Sequence, residues 1–521
     1  MNKNLKVWSL AALASLSLAA TTASCSDDNS VSTTDNRNWS TDGGLKAADN
    51  LLFDGNQIGN GDNQFVFKGK QTLKKGTYIL KGWVYIADGS ELTIEPGTII
   101  KGDKQTMASI IVERGGKLIA QGTKDEPIVF TSEEAKGQRR PGDWGGIIMC
   151  GKAKTNAGEQ AIEGGPRTKH GGNDDADNSG VLSYVRVEFA GYPFDTNQEI
   201  NGVTLGSVGT GTKIDHVQVS YSNDDSFEWF GGKVNAKYLV AYEGWDDDFD
   251  TDNGYSGNVQ YALSIRDPKL ADTSNSNGFE SDNDASGSTA TPTTNATFSN
   301  VTFVGPKASA LDFENTTDYI NGGGLNPGNG SALGRFQASM HIRRGSHLQC
   351  INSISYGWPV GIIIDGEKGN TRTDAGDTKD GDVFTGAYNA KNNKLVFKNI
   401  WMAGMTANGA DANSAFKDSL VTKYGKPNTF DDTKTSFSSN FFAQQPGCQF
   451  FKDIDSWGLQ SPTGIVGLTV PLFPKAGSPL LTAGSTDGFS AFDRVNYIGA
   501  FNGTDNWLEG WTNFDPQNTD Y

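Results

Sequence analysis

Asp225-Ser226-Phe227-Glu228-Trp229, then Asp248-Phe249-Asp250-Thr251-Asp252, then Gly278-Phe279-Glu280-Ser281-Asp282: three times between Gly211 and Asp284 a short β-prone segment ends in a step where an aromatic is followed at once by a carboxylate. Successive side chains of a strand point to opposite faces. If each step is one rung of a stack, Phe227, Phe249 and Phe279 share one side. Glu228, Asp250 and Glu280 then form a row on the other, with Asp252 and Asp282 in a second row beside it. Neighbouring strands lie roughly 4.8 Å apart, so like charges would stand almost in contact, which is unfavourable without compensation. The spacing therefore predicts a stacked β structure with one outer face that needs a cation or a dense set of hydrogen bonds.

The composition agrees with many short strands. Glycine is abundant at 65 residues, and hydrophobic residues make up only 36%, a mix suited to turns and brief strands rather than amphipathic helices. One short helix is expected at Ala415–Tyr424. From Gly76 onward, runs such as Trp83-Val84-Tyr85-Ile86, Leu92-Thr93-Ile94 and Ser109-Ile110-Ile111-Val112 are cut by Asp88-Gly89, Pro96-Gly97 and Gly115-Gly116. Strands this short fit a β-sandwich array or a parallel β-helix. Recurrence favours the helix: Ile147 and Met149, Val203 and Leu205, Phe227 and Trp229 would face one interior, each coil covering the apolar side of the next. Corner insertions are expected at Lys152–Asn178, Asn283–Asn295, Asn315–Gly334 and Glu367–Asp382. Leu311-Asp312-Phe313-Glu314 and Ile364-Asp365 are candidate fourth and fifth rungs, with the register after Ser309 open.

Longer stretches carry a family resemblance. Glu91-Leu92-Thr93-Ile94-Glu95-Pro96-Gly97-Thr98-Ile99-Ile100, Gly115-Gly116-Lys117-Leu118-Ile119-Ala120-Gln121-Gly122-Thr123, Gly142-Asp143-Trp144-Gly145-Gly146-Ile147 and Tyr184-Val185-Arg186-Val187-Glu188-Phe189-Ala190-Gly191 resemble secreted and surface proteins of Bacteroidetes built as right-handed parallel β-helices, mostly of unassigned activity. Pro474-Lys475-Ala476-Gly477-Ser478-Pro479 is similar to the closing coils of such proteins. The resemblance implies an all-β, right-handed parallel β-helix over residues 46–521, and fold alone does not fix chemistry.

The N-terminus suggests an address. Lys3 and Lys6 precede an apolar run from Val7 to Ala20, and small residues then lead to Cys25. This is the layout of a secretory leader, too short to span a bilayer comfortably. It resembles a lipoprotein signal over residues 1–24, with Cys25 as the lipidated residue, and Ser26-Asp27-Asp28 is similar to the acidic surface-export tag of Bacteroidetes lipoproteins. Residues 25–45, poor in apolar side chains, read as a flexible tether. The expected location is the outer surface of the outer membrane, held by lipid. The setting that the resemblance implies makes a TonB-dependent transporter a candidate partner.

The remaining residues exclude several chemistries. A net charge of −17 disfavours nucleic acid. Cys150, Cys350 and Cys448 are odd in number and form no CxxC, leaving a Cys350–Cys448 pairing open. The four histidines make no HExxH, and His341 and His347 read as hydrogen-bonded structural residues. No GxSxG elbow is present.

For the acidic rows, a cation, Ca²⁺ foremost, is the leading expectation, with Glu228, Asp250, Asp252, Glu280 and Asp282 as ligands and the Asp224-Asp225 and Asp246-Asp247-Asp248 corners able to add more. The alternative is carboxylates that accept hydrogen bonds from turn backbones. Asp248-x-Asp250-x-Asp252-x-Gly254 starts like a calcium loop but lacks its spacing. Trp245 and Tyr255, flanked by acidic residues or glycine, are candidates for exposed rings that stack on an extracellular glycan. No catalytic residue is assigned. A surface binding module is the leading function. A calcium-dependent polysaccharide lyase or glycoside hydrolase comes second, since Arg343-Arg344 could supply a base, and an adhesive stalk third.

Overall fold

A computed structural model describes residues 37–61, 64–195, 198–375, 394–410 and 436–521. The leader, Cys25, most of the tether and the short helix expected at Ala415–Tyr424 lie outside the described residues. The folded unit spans Asn38–Tyr521. It begins earlier than the tether reading allowed, because Ser40–Asp42 pairs antiparallel with Leu45–Ala48. Backbone hydrogen bonding, not apolar content, orders that polar segment.

The unit is a right-handed parallel β-helix. One sheet stacks Gln64–Phe67, Trp83–Ile86, Ser109–Val112, Gly146–Cys150, Val203–Gly206, Phe227–Phe230, Phe249–Asp252, Phe279–Ser281, Ala338–Ile342, Val360–Ile364 and Ala407–Ala410 in that order. Its inward column runs Val84, Ile110, Ile147, Val203, Phe227, Phe249, Phe279, Met340, Ile362, all buried in one continuous core. Trp229 is also inside, as alternation requires. The fourth and fifth rungs are Ala338–Ile342 and Val360–Ile364, not Leu311–Glu314, whose Leu311 is fully exposed in a corner insertion.

A second sheet closes each coil. In early coils it is fed by separate strands, Lys117–Gln121 and Ile128–Ser132, which both pair with the single long strand Gly180–Glu188. Where the intervening corner shrinks to one residue, that residue is left-handed. Tyr184, His216, Tyr238, Tyr261, Asn300, Asn352 and Asn399 have φ between 50° and 64° and occupy one register. Such a conformation costs a non-glycine residue about 1–2 kcal/mol. Stacking offsets it: the Tyr184, His216 and Tyr238 rings are 4.3 Å apart in turn, and Tyr238 lies 4.9 Å from Tyr261. Further along, the Asn399 side-chain amide donates to Asn352 Oδ1 at 3.1 Å.

The last segment is not a set of closing coils. Coil pairing ends with Gln449–Phe451, and the chain then returns along the outside of the second sheet. Trp457, Ile498, Trp507, Trp511 and Phe514 bury a second core against Tyr221, Val240, Tyr242, Tyr261 and Leu263. The Tyr521 hydroxyl donates to Glu188, and Lys101 reaches the Tyr521 backbone oxygen. Cys150, Cys350 and Cys448 are free, buried thiols.

Candidate metal centre

The strand alternation that buries Phe227, Phe249 and Phe279 sets Glu228, Asp250 and Glu280 side by side on the outer face of the first sheet. The next member of this row is His341, which pairs with Glu280 across the rungs. Asp252 and Asp282 form the flanking row, continued by Arg343. Before each step the chain turns a corner carrying Asp224-Asp225, Asp246-Asp247 or Asn277. These corners cap one another: Asp225 Oδ1 accepts the Asp247 backbone N–H at 2.8 Å, and Asp247 Oδ1 accepts that of Asn277. The turn-capping reading therefore accounts for one oxygen of Asp225 and one of Asp247, whereas Asp246 accepts the Ser274 hydroxyl on Oδ2 and has no donor on Oδ1.

Though outward, the rows are sheltered. Glu228 is 7% exposed and Asp282 4%, while Asp250, Asp252 and Glu280 are half-buried. The small hairpin Gln160–Ala161 with Lys169–His170 lies over the same face. It can do so because Gly206 has no side chain: a Cβ there would come within 2.8 Å of the His170 ring. This hairpin also brings Glu163 toward the trough, where burial, and then the charges of Glu199 and Asp252, push its carboxyl up to about 7. On another side the Asn223 amide donates to Ser331 of the 315–334 insertion.

Desolvation of so many acids has a clear electrostatic result. Burial first, and neighbouring carboxylates second, hold Asp224, Asp225, Glu228, Asp246 and Asp250 well above the usual carboxylate range. Burial raises Asp247 and Asp252 to about 6. Asp282 stands at about 8 from burial and the Asp252 charge, against the opposing pull of Arg344. Three groups each place oxygens within 4.8 Å of one another: Asp224 with Asp225 and Asp246, Asp225 with Glu228 and Asp250, and Asp247 with Asp250 and Glu280. Asp246 Oδ1, Asp250 Oδ1 and Asn201 Oδ1 are buried acceptors without a hydrogen-bond partner, although the Asn201 amide nitrogen donates to Glu228. Buried acceptors without donors are costly, and a hard cation that takes carboxylate and amide oxygens fits this donor set.

The structure sorts the residues expected from sequence. Glu228, Asp250 and Glu280 enter these ligand groups; among the described residues Asp252 and Asp282 enter none, and Asp282 is instead paired with Arg343 and Arg344. Asp248 is not with them: it faces the other way, where its carboxylate pairs with Arg266 at 2.8 Å and accepts from Ser264. Trp245 and Tyr255 are corrected, because neither is exposed. Tyr255 folds back into the coil, stacks 5.3 Å from Trp229 and donates its hydroxyl to the Val234 carbonyl. Trp245 packs into the second core. Their acidic and glycine neighbours mark corners, and a corner can turn a ring inward as readily as outward.

Arg343 and Arg344, which nothing in the sequence tied to the rows, stand at their end. Arg343 reaches Glu280 through Nη2 and Asp282 through Nε at 2.7 Å, and Arg344 meets Asp282 at 2.6 Å. Ser339-Met340-His341-Ile342-Arg343 shows the same alternation as the acidic steps, with apolar Met340 and Ile342 between polar neighbours. That was the available signal.

A family model described as a pectate-lyase-like β-helix domain matches residues 66–423, which include every rung of the trough. The chain belongs to the pectate-lyase-like β-helix family. The family match stops short of the returning C-terminal segment. No curated protein matches the chain. Among solved structures, the Dettilon tailspike protein is similar over 65% of this chain and 62% of its own, at 13% identity and a TM-score of 0.23. The chain thus spans less than two thirds of that tailspike.

Proposed function

We propose that this family member is a surface-displayed binding protein whose acidic trough holds a divalent cation, Ca²⁺ in the first instance, and presents it to an extracellular glycan. It acts from the outer membrane through lipid on Cys25, beside a TonB-dependent transporter. The observation that carries the reading is the buried trough itself. Its carboxylates are raised by burial and then by mutual repulsion, and the Oδ1 atoms of Asp246, Asp250 and Asn201 lack donors. Asp225, Glu228 and Asp250 would hold the cation with the Asn201 amide beside them. Bound there, the cation would offer its open positions to sugar hydroxyls or carboxylates. The test is a glycan array probed with residues 26–521, with Ca²⁺ and with chelator. A hit that vanishes on chelation and in Asp250→Asn supports the reading; a silent array, or a hit indifferent to both, overturns it.

A second reading has its own observation. Arg343 and Arg344 beside the carboxylates supply the cationic groups that a calcium-dependent lyase uses against a uronate. Release of unsaturated ends from pectin or alginate, lost in Arg343→Lys, would establish it. A panel without product would remove it. The Asp224, Asp225 and Asp246 group does not suit an inverting hydrolase, since its oxygens sit within 4.8 Å whereas that mechanism uses carboxyls about 6.5–9.5 Å apart.

A further inference from the structure

We propose that the trough is a two-cation centre bridged by Asp250, in which one position is all-oxygen and the other has His341 as a nitrogen ligand and takes a transition-metal cation of the Mn²⁺ or Zn²⁺ class. This rests on the cation reading above and deepens it.

Two observations carry the inference. Asp250 is shared by two of the ligand groups, one with Asp225 and Glu228 and the other with Asp247 and Glu280. A carboxylate common to both groups is placed to bridge adjacent cations; the His341 ring lies outside both groups and meets the second at Glu280. The second observation is His341. Its side chain is fully buried, and Nε2 lies 3.1 Å from Asp365 Oδ2. Nδ1 has no hydrogen-bond partner and faces Glu280 Oε2 at 3.6 Å. Two ligand atoms bound at about 2.1 Å to one tetrahedral or octahedral ion stand at a separation of that order. A carboxylate on the far nitrogen of a metal-bound histidine fixes the tautomer and directs the free lone pair at the metal. Asp365–His341 has that form.

The surroundings fit. Arg343 engages Glu280 through Oε1 and leaves Oε2 on the His341 side, where the Asn277 amide nitrogen approaches it at 3.4 Å. An imidazole nitrogen among carboxylates selects against Ca²⁺, which prefers oxygen alone, and toward Mn²⁺ or Zn²⁺. The Asp225, Glu228 and Asp250 group, with the Asn201 carbonyl oxygen nearby, keeps an all-oxygen character suited to Ca²⁺.

The competing account is that His341 is an imidazolium held between Asp365 and Glu280, with no metal role. Residues 26–521, which contain the whole folded unit, are stripped with chelator and loaded with Mn²⁺ and Ca²⁺. Bound metal is then counted by mass spectrometry, and the Mn²⁺ electron-spin-echo spectrum is recorded. Two cations per chain are expected, with nitrogen modulation from imidazole on Mn²⁺. His341→Gln should abolish that modulation and weaken Mn²⁺ at least tenfold while Ca²⁺ is retained. Asp365→Asn, which leaves the imidazole in place, should cost about 10–100-fold in Mn²⁺ affinity and guards against a folding defect in the first variant. One cation per chain, absent nitrogen modulation, or unchanged Mn²⁺ affinity in both variants would overturn the two-cation centre and leave the Ca²⁺ reading standing. Failure to bind either metal would overturn both.

Discussion

Asp248 and Arg266 show how finely side-chain direction divides one acidic run. Asp248 is two residues from Asp250, yet it leaves the trough for a buried pair in which both side chains are fully shielded. Arg266 also donates to the Asp246 and Trp245 carbonyls, so the pair is bonded on several sides. Removing one partner of such a pair strands a charge, at about 3–5 kcal/mol. Arg266→Ala should therefore lower the unfolding free energy measured in urea by that order, and the companion change Asp248→Asn should recover part of it in the double variant. His170 makes a second case. Burial, then the Arg114 charge, holds it down at about 4, against about 6.5 in an unfolded chain. Between those values the unfolded chain carries a proton that the native chain lacks. The stabilising contribution is thus complete above pH 6.5 and is lost as the pH falls through this window, by about 3 kcal/mol at most. His170→Gln should show a shallower fall in stability between pH 7 and pH 4.5 by chemical denaturation; parallel curves for the two proteins would refute the assignment. At this scale the trough acids were legible, since alternation alone places them. Trp245 and Tyr255 were not, because the direction of a corner side chain depends on how the coil closes around it.

Among the elements, the returning C-terminal segment is held by a device that sequence patterns conceal. The outward Gln218 side chain donates to the Asn513 carbonyl at 2.7 Å and accepts the Asn513 N–H at 2.8 Å. Gln260 does the same with Asp493, at 3.3 and 2.9 Å. Each amide side chain stands in for a strand backbone, so an irregular segment has its polar groups satisfied without any periodic pattern of its own. That is why Pro474–Pro479 read as a closing coil: its local turn residues are those of a coil, and only tertiary contact shows it running outside. Gln218→Ala should remove both hydrogen bonds to Asn513 and the one to the Ser220 hydroxyl, at about 1 kcal/mol each. Amide hydrogen exchange around Asn513 should quicken accordingly, while exchange in the Phe249–Asp252 strand stays unchanged. Equal acceleration in both places would show that the segment and the coils open together. The left-handed column, by contrast, was hidden because aromatic and asparagine residues are chosen there for stacking and amide bonding, not for a glycine-like signal.

For the whole unit, the repulsive trough is built into a fold whose core lies on the opposite side of the same strands. Phe227, Phe249 and Phe279 bury apolar surface at about 25 cal/mol per Å², which anchors the rungs despite the charges they carry outward. A cation that binds only the folded trough must then stabilise it by mass action, about 2.7 kcal/mol at a hundredfold excess over Kd. Thermal unfolding should shift upward with Ca²⁺ and return with chelator, and the shift should be absent in Asp250→Asn. Superimposable curves would count against any specific site. The sequence by itself determined the β-helix and the outward rows, because stacking period, turn residues and alternation are local properties repeated in every coil. Only the tertiary structure decided the end of the trough. The insertions on either side of the strand Thr297–Val304 hide the next rung from any spacing argument, and the contact of Glu280 and Asp282 with His341, Arg343 and Arg344 exists only once the coils stack. The acidic steps that mark the fold are thus half of the site, and stacking supplies the basic half.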